Sequence, residues 1–375
     1  MRRAAAVAWV VACAAWADEV QPKDAGGALA RQLQFQVKKV VSLEAHTTQP
    51  SFYSDPRPHL VDRDRALYYG RGAFHGPGLV YLLDVKTLEE RILEAPTAAF
   101  VAQNPKLVIH PVVEDLLCYD RADGWAALLL NDTAPQHKKV YLAWWNLAEN
   151  RISTALLLGE QGPKDHWVAA HSIGYLPERG ECVVQVARSS GGKYDHSVVA
   201  VGREAVRTIA TFEGNFIASH GPYFDAAHQR AMVTEISEDG SPNGYLVDLA
   251  SGGVRTFPIP QLVYGFTFDP DGRTLYAYGV KARELWAINA ATGAAVRRVR
   301  IGDIGHALGW IGDSLVVVGN VRIHLLDRQT FGHRAQVGTR RIAPKSVNVE
   351  SSVVLPGAII ALNDFYRLHL THLER

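Results

Sequence analysis

The apolar and polar residues of the chain alternate in short stretches that are separated by turn-forming sequences. Residues 264–279, YGFTFDPDGRTLYAYG, show the pattern, with apolar strands on both sides of DPDG at 269–272. Proline fixes one φ angle of such a turn and glycine adopts positive φ without strain, so this segment predicts a tight hairpin. Residues 284–302, ELWAINAATGAAVRRVRIG, predict a second hairpin. The two hairpins together make a unit of four short antiparallel strands.

This four-stranded unit recurs along the chain. The residues that predict its seven copies are 59–94, 110–158, 171–213, 220–259, 264–302, 306–337 and 346–373. The last copy has three clear strands, and the alternating segment 35–43, FQVKKVVSL, supplies a fourth. Four-stranded repeats of about 40 residues are typical of β-propeller blades. We therefore predict an all-β, seven-bladed β-propeller over residues 33–375, with its ring closed by the N-terminal strand that completes the last blade.

Two of the copies are longer than the rest, and several share a polar residue at the end of the third strand. The copies at 110–158 and 171–213 predict extended loops at 121–139 and 159–170. Asp and Asn start turns because their side chains accept hydrogen bonds from the backbone two and three residues on. Such turns are predicted at Asp84, Asn146, Asp248, Asn289 and Asp327.

The N-terminal residues have the composition of an export signal. Arg2 and Arg3 precede an apolar run at 4–14, and small residues at 15 and 17 suit a signal peptidase. We expect a signal peptide at 1–17, a flexible segment at 18–32 and a periplasmic or secreted protein. The alternative is a lipoprotein anchored at Cys13, which the short apolar run makes less favourable. No segment has the roughly 20 apolar residues of a transmembrane helix.

Charge and cysteine content narrow the classes of partner. The full chain has a net charge of +1, and loss of residues 1–17 removes two arginines and no acid, which leaves about −1. This balance argues against a nucleic-acid partner, and we expect a monomer. Cys118 and Cys182 would then remain, in an oxidising compartment that permits a disulfide. Because the pattern assigns both to inner strands of neighbouring units at different heights, we expect them to be unpaired.

The most regular copy resembles a known group of proteins. FDPDGRTLYAYG at 268–279, followed by LWAINAATGAAVRRV at 285–299, is similar to the blade consensus of bacterial extracytoplasmic propellers of the YVTN, TolB and quinoprotein-like types. The resemblance covers the predicted blades as an architecture and implies no single activity, since the group contains binding scaffolds, amine-dehydrogenase subunits and some polysaccharide lyases. A function has to be argued from a site and not from the fold.

Histidines fall at matching places when the copies are aligned. His59, His110, His171, His220 and His306 lie just before or at the start of the innermost strand, where Tyr264 takes the place in the fifth copy and Lys345 or Ser346 in the seventh. Innermost strands line the channel of a propeller, so these imidazoles are expected to converge there. They could bind a divalent metal such as Mn or Zn, or form a polar lining with a structural role only.

Three arginines form a second set of matching positions. Arg71, Arg121 and Arg188 are each read as following the second strand of a copy, which would place them on the same face as the histidines. Tyr69, Tyr119 and Tyr194 are close to them in sequence. Guanidinium groups pair with carboxylates in bidentate fashion, so this face suits an acidic sugar or another small anion. Solvated loop charge is the alternative reading.

Two functions of different classes follow. The first is a binding scaffold that takes a small molecule, an acidic sugar or a protein partner at the channel mouth. The alternative is a polysaccharide lyase acting on an anionic polymer by β-elimination, with His171 or His220 as base, Tyr264 as proton relay and Arg188 as carboxylate clamp. His59, His110, His306, Arg71 and Arg121 would bind the ligand. A redox subunit partnered with a quinone or haem protein ranks last, because the sequence has no cofactor motif.

Overall fold

The structure is a computed structural model of the chain. The residues that it describes are 34–42, 59–61, 65–70, 79–84, 89–105, 113–132, 139–162, 165–190, 193–214, 223–235, 243–259, 263–279, 283–303, 305–319, 321–338, 351–355, 358–362 and 366–373. Nearly all of them lie in β-strands, which confirms the all-β class. The predicted signal peptide at 1–17 and the predicted flexible segment at 18–32 lie outside the described residues.

The first half of the described chain contains thirteen strands and one short helix, α1. The strands are β1 (Gln34–Ser42), β2 (His59–Leu60), β3 (Arg65–Gly70), β4 (Leu79–Asp84), β5 (Glu90–Leu93), β6 (Val113–Asp120), β7 (Trp125–Asp132), β8 (Lys139–Asn146), β9 (Arg151–Glu160), β10 (Asp165–Leu176), β11 (Glu181–Ser190), β12 (Lys193–Val201) and β13 (Val206–Gly214). Helix α1 (Thr97–Gln103) lies between β5 and β6 and buries Phe100.

The second half of the described chain continues with strands of similar length. They are β14 (Tyr223–Asp225), β15 (Arg230–Thr234), β16 (Asn243–Asp248), β17 (Val254–Pro258), β18 (Val263–Phe268), β19 (Thr274–Gly279), β20 (Glu284–Asn289), β21 (Ala295–Arg300), β22 (Gly305–Ile311), β23 (Ser314–Gly319), β24 (Arg322–Asp327), β25 (His333–Gly338), β26 (Ser351–Leu355), β27 (Ala358–Leu362) and β28 (Tyr366–Leu373).

Among the described residues, the strands pair into four-stranded antiparallel sheets. Six sheets are each built from four consecutive strands, and we number them in chain order from β2–β5 (first sheet) to β22–β25 (sixth sheet). A further sheet has the order β1-β28-β27-β26, so the N-terminal strand pairs with the last strand of the chain. The predicted four-stranded repeat is therefore confirmed.

The sheets follow one another in space as they do in sequence. The innermost strands β2, β6, β10, β14, β18, β22 and β26 contact one another in that order. Apolar cores fill the spaces between consecutive sheets: Trp145 packs in the core shared by the first and second sheets, and Trp144 in the core shared by the second and third. Both indoles are at most 2% exposed, so neither forms a surface platform. Strand β8 is buried on both faces because a sheet lies on each side of it.

Four of the five turns predicted at the ends of third strands form as predicted, and the turn after Asp84 lies outside the described residues. The side-chain oxygen of Asn146, Asp248, Asn289 or Asp327 accepts hydrogen bonds from backbone N–H groups two and three residues further on, at 2.7–3.0 Å. The segment 269–272 is also a turn, with Gly272 at φ +68° and its N–H donating to the carbonyl of Asp269 at 2.7 Å. Hydrogen bonds within each of these turns therefore set the shared turn geometry of these copies.

Each sheet has one face with short turns and one face with longer connections. The turns 121–124, 177–180 and 226–229 join first to second strands, and we call this end the short-turn face. Second strands end, and the first strands of the following sheets begin, at the opposite end of the sheets, which we call the long-connection face, because antiparallel strands reverse the chain direction at every turn. Contacts between turns of neighbouring sheets, such as Arg230 Nη2 donating to the carbonyl of Gly272 at 2.6 Å, align the short-turn ends.

Two expectations about the second and third units are wrong. The predicted extended loop at 121–139 contains strand β7, and the predicted loop at 159–170 contains the end of β9 and the start of β10. The length of these units comes from longer strands: β10 has 12 residues and β11 has 10. A turn of only four residues, 121–124, separates β6 from β7.

The two cysteines of the described chain form a disulfide, which corrects the expectation that they are unpaired. Cys118 and Cys182 are bonded, with their Cα atoms 5.9 Å apart, and both are fully buried between the second and third sheets. The sequence assignment placed both on innermost strands. Cys182 instead lies at the start of the second strand β11, next to the same short-turn face that Cys118 approaches at the end of β6. The two residues therefore have the same height.

Candidate functional site

The predicted histidine positions are described only in part. His59 is the first residue of β2, and His306 and Tyr264 are the second residues of β22 and β18, so their backbones lie at the starts of innermost strands as expected. Their side chains lie outside what the structure describes, as do His110, His220, Lys345 and Ser346. Their convergence and their roles stay predictions.

His171 lies deeper in its strand than the sequence alignment implied. It is in the middle of β10, directly opposite Gln185 of β11, and its side chain is partly exposed. The innermost strand of the third sheet begins at Asp165, well before the position at which the repeat pattern set its start. His171 therefore belongs to the space between sheets and not to the entrance of its strand.

Arg121 does not lie on the face at which the histidines were expected. Arg71 lies outside the described residues. Arg121 follows the first strand β6 and not a second strand, so it lies on the short-turn face, where its Nε donates to the carbonyl of Val61 at 3.2 Å. Strands rise about 3.3 Å per residue, so the length of β6 separates Arg121 from the long-connection end by about 25 Å. The placement of Arg121 beside the histidines is therefore wrong.

Arg188 and His171 point to opposite faces of the third sheet. Arg188 pairs with Val168 and His171 pairs with Gln185, and the ladder between these pairs has no register shift. Side chains alternate along a strand, so positions three residues apart face opposite ways. Val168 packs in the core towards the second sheet, and Arg188 Nη2 lies 3.7 Å from the position of a Cβ atom on Gly159 of β9. A base at His171 and a clamp at Arg188 are therefore not brought together.

The space between the third and fourth sheets changes character along its length. Towards the short-turn face it is an apolar core that contains Ile173, Val183, Val198, Ala231 and Val247. Towards the long-connection face the same two sheets contribute polar and ring side chains instead. These are His171, Gln185, His196 and Phe212 from the third sheet and Glu235 and Tyr245 from the fourth, and we call this set the polar interface.

Gln185 is the polar residue at the centre of the third sheet's contribution. It is fully buried, and its Nε2 donates to Nδ1 of His196 at 3.4 Å. Its Oε1 has no hydrogen-bond partner among the residues that the structure describes. A buried acceptor left without a partner costs about 1–3 kcal/mol, so a polar side chain at this core position requires an explanation beyond packing.

A column of three rings connects Gln185 to the fourth sheet. The imidazole of His196 stacks on Phe212 with centroids 5.3 Å apart, and Phe212 stacks on Tyr245 at 4.4 Å. His196 and Tyr245 are buried, whereas Phe212 is partly exposed. Stacked rings hold fixed positions, so the polar groups at the two ends of the column are held at a defined separation.

Glu235 supplies a buried carboxylate at the far end of the column. It is 2% exposed; one oxygen accepts the hydroxyl of Tyr245, and the other accepts the backbone N–H and the side-chain amide of Asn243, both at 3.2 Å. Burial first, and then the hydrogen bond to Glu235, raises the pKa of Tyr245 well above its usual range, so the phenol stays protonated. A Cβ on Gly214 would lie 2.7 Å from Oε1 of Glu235, so glycine permits this close approach.

The short-turn face is closed by ion pairs between neighbouring sheets. Arg203 of the third sheet donates to the buried carboxylate of Asp120 at 2.7 Å, and its guanidinium carbon lies 4.0 Å from the ring centroid of Trp144. Arg328 of the sixth sheet makes the equivalent contact with Asp269, which also accepts the hydroxyl of Tyr276 at 3.1 Å. Each aspartate ends a first strand and each arginine follows a third strand. We call these contacts the Asp–Arg clasps.

No metal-binding group is present in the part of the chain that the structure describes, where no three His, Cys, Asp or Glu side chains are suitably grouped. Most of the histidines proposed as metal ligands lie outside that part, so the Mn or Zn prediction is untested. No helix within the described ranges is long and apolar enough to cross a membrane.

Sequence reasoning missed Gln185, His196, Glu235 and Tyr245. A signal was present in residues 181–190, ECVVQVARSS, where Gln185 is the one polar residue in a run that is otherwise apolar from 182 to 187. A glutamine amid residues buried on both faces of a strand indicates a polar contact inside the molecule. Glu235 gave no such signal, because it follows the strand and is next to a polar segment.

Comparison with known proteins supports the architecture and assigns no family. No family model matches the chain, and no curated protein matches it. Many solved structures do, 1048 chains in all. A chain in the crystal structure of the mitotic checkpoint complex is similar with a TM-score of 0.59 at 12% identity, over 95% of this chain and 98% of that chain. At this identity the likeness concerns the fold alone, and together with the four-stranded sheets it shows a β-propeller fold.

Proposed function

We propose that the protein is a ligand-binding, seven-bladed propeller that takes a small polar ligand at the polar interface, on its long-connection face. The described sheets contact one another in series through their innermost strands, and β1 pairs with β28. Both features support a ring in which the last sheet meets the first, since closure covers the edges that a row of sheets would expose.

The buried acceptor of Gln185 is the observation that carries this proposal. Neighbouring positions in the core are apolar, and the Asp–Arg clasps close the opposite face with their carboxylates paired. The polar interface instead contains an amide oxygen that has no partner within the described part of the chain, next to the partly exposed rings of His171 and Phe212. Sites that recognise small ligands combine ring side chains with a few convergent polar groups of this kind.

We further propose an extracytoplasmic location, in the periplasm or outside the cell, and a relationship to the bacterial YVTN, TolB and quinoprotein-like propellers. The disulfide between Cys118 and Cys182 supports this location, because such bonds persist in oxidising compartments. The signal-like composition of residues 1–17 supports it independently.

A protein partner on the same face is the second candidate. The similar chain noted above comes from the structure of a protein complex, which supports a role for this fold in binding other proteins. The lyase alternative receives no support from His171 and Arg188, because these side chains face different sheets. Its other members, His220 and Tyr264, remain predictions.

Thermal unfolding with a mixed set of compounds tests the proposed site. The set contains neutral saccharides, sugar acids, amino acids and short peptides, and the proteins compared are wild type, Gln185→Leu, His171→Ala and Arg188→Ala. We expect at least one compound to raise the unfolding midpoint of wild type and Arg188→Ala but not of the other two, because ligand binding stabilises only the form that binds. A set without any stabilising compound, or with equal shifts in all four proteins, would contradict the proposal.

A further inference from the structure

The outermost strand of the fifth sheet presents three exposed arginines. Strand β21 has the sequence AVRRVR, and its arginines are Arg297, Arg298 and Arg300. Its Val296 is 62% exposed, more than any other large apolar side chain that the structure describes. Strand β21 is the last strand of its sheet, and within the described residues no further strand pairs with its outer edge. An edge strand of this kind accepts an additional strand from another chain.

Nearby acids do not balance the positive charge of β21. Three of the other outermost strands carry an arginine that forms an ion pair with an acid of its own sheet: Arg151 with Glu149, Arg207 with Glu181, and Arg334 with Asp327. In the described part of the chain, Arg297, Arg298 and Arg300 form no ion pair. Glu284 lies opposite Arg300 in the ladder, but its Oε2 accepts the indole N–H of Trp286 at 3.1 Å. The strand is therefore a local surplus of positive charge.

Contacts with aromatic rings hold two of these guanidinium groups without neutralising them. The guanidinium carbon of Arg298 lies 3.8 Å from the ring centroid of Trp286, its cross-strand partner on β20. That of Arg297 lies 5.0 Å from the ring centroid of Phe331 in the sixth sheet, and its Nη1 donates to the carbonyl of Gln329. A guanidinium stacked on a ring keeps N–H donors at its edge, and these suit a carboxylate. Both groups are therefore positioned for an anionic partner.

The backbone of β21 presents hydrogen-bonding groups at two of the arginine positions. Ile301 donates its N–H to the carbonyl of Arg283, just before β20, at 2.9 Å. In an antiparallel ladder every second residue directs both backbone groups to the neighbouring strand, so Val299 bonds to β20 as well. The N–H and C=O groups of the intervening positions, Arg298 and Arg300, therefore point away from the sheet. The residues with uncompensated charge thus also offer the backbone groups that strand addition requires.

We propose that β21 binds an extended acidic segment of a partner protein, which adds a fifth strand to this sheet. The backbone of the segment pairs with the outward N–H and C=O groups of Arg298 and Arg300. Carboxylates two residues apart on the segment pair with the same two guanidinium groups. This spacing follows because side chains directly opposite each other share a face of a sheet, and alternate residues of a strand share that face.

A peptide suits this surface better than an acidic saccharide does. Only a peptide supplies backbone donors and acceptors at the spacing of an edge strand, about 6.6 Å for every second residue. The surface lies at the outer edge of the fifth sheet, whereas the polar interface lies between the third and fourth sheets. This proposal therefore goes beyond the proposed function, and either can fail without the other.

Fluorescence anisotropy with labelled peptides tests the charge requirement. The probes are TEVEVET, with glutamates at alternate positions, and its neutral counterpart TQVQVQT. The proteins are wild type, the double variant Arg298→Gln with Arg300→Gln, and the control Arg151→Gln with Arg207→Gln, which loses the same charge from other outermost strands. We expect TEVEVET to bind wild type and the control equally. Its Kd should rise roughly fivefold or more in the first double variant, as the loss of two exposed ion pairs implies, and TQVQVQT should bind as weakly to all three.

Two N-methylated forms of TEVEVET test strand addition without changing the protein. Methylation of the glutamates removes the N–H groups that face β21, whereas methylation of the valines removes those that point away. We expect only the first form to lose binding to wild type. Equal binding of the two forms, equal Kd values for the two double variants, or displacement of the peptide by trigalacturonic acid at matched concentration would overturn the proposal.

Discussion

At the scale of single residues, a substitution at Gln185 can distinguish a functional role of this side chain from a structural one. Replacing this fully buried glutamine by leucine removes an acceptor that has no partner in the described ranges, and it keeps a similar volume. We expect Gln185→Leu to raise the free energy of unfolding by about 1 kcal/mol, because the lost bond to His196 is worth less than the desolvated acceptor costs. Urea unfolding measures the change.

The matched control is Gln336→Leu, at an exposed position of strand β25. This substitution should change the free energy of unfolding by no more than about 0.5 kcal/mol. If Gln185→Leu instead lowers the free energy of unfolding by about 1 kcal/mol, the glutamine has a structural role. The argument for a ligand site then loses its main support. The opposite result, higher stability with lost binding, is the behaviour of a functional residue.

Arg203 shows a residue whose role is structural. Its guanidinium pairs with Asp120, which is 3% exposed, and covers the rings of Trp125 and Trp144. Arg203→Ala leaves that carboxylate buried without its cation, and we expect a loss of about 2 kcal/mol, below the usual cost for a fully buried pair because Arg203 is partly exposed. Urea unfolding checks this value.

Arg207→Ala is the control for the clasp, because Arg207 pairs with Glu181 at 2.8 Å while 46% of its side chain is exposed. Exposed pairs contribute little, so its loss should cost about 0.5 kcal/mol. Equal losses in the two variants would show that the Asp–Arg clasp does not join the second and third sheets as described.

Residue types with local effects could be predicted from the sequence, and those with distant partners could not. The turn roles of Asn146 and Asp248 follow from bonds to their own backbone neighbours. The pairing of Cys118 with Cys182 depends on two strands 64 residues apart, and an error of one strand in the assignment of Cys182 changed its height. The partners of Glu235 are likewise set by the fold and not by its neighbours in sequence.

At the scale of secondary-structure elements, the turn after β24 gives a pH dependence. The N–H of Thr330 first, and then the guanidinium of Arg334, hold the pKa of Asp327 well below its usual range. A carboxyl with a lowered pKa stabilises the folded state above its unfolded pKa of about 3.9, and that contribution is lost as pH falls through the folded pKa. Asp327→Asn keeps an oxygen for the turn but does not titrate.

We therefore expect wild type to be more stable than Asp327→Asn at neutral pH, and the difference to shrink as pH falls from about 4 to about 2. The free energies of unfolding of wild type and Asp327→Asn, measured across this pH interval, show whether the difference shrinks. Gln336→Leu, at an exposed position of the same sheet, removes no ionisable group and is the control, which should show no comparable trend. A difference that stays constant over the interval would mean that Asp327 does not ionise in contact with Arg334.

Element type was predictable where the turn was regular. The hairpin around 269–272 forms as predicted because proline and glycine fix its dihedral angles. The strands of the second and third sheets were predicted less accurately, because the sequence WAALLLND of β7 is almost continuously apolar and shows no alternation. Strands buried on both faces lack the period-two signal, and this also led to the wrong strand for Arg121.

At the scale of the whole molecule, the two ends of the sheets have different roles. The Asp–Arg clasps and the disulfide between Cys118 and Cys182 hold neighbouring sheets together near the short-turn face. The polar interface lies towards the long-connection face. The repeat predicted the sheets and the distinction between faces, but not which space between sheets is polar, because that depends on which face of β11 meets the fourth sheet.

Photoaffinity labelling tests most directly whether the polar interface is the binding site. The probe is a diazirine-bearing derivative of the compound that stabilises wild type most in the thermal unfolding set, with the unmodified compound as competitor, and labelled peptides are identified by mass spectrometry. We predict competed labelling within Asp165–Leu176, Lys193–Val201 or Asn243–Asp248. Labelling confined to the short-turn segments 121–124, 177–180 or 226–229, or labelling that the unmodified compound does not reduce, would contradict the account.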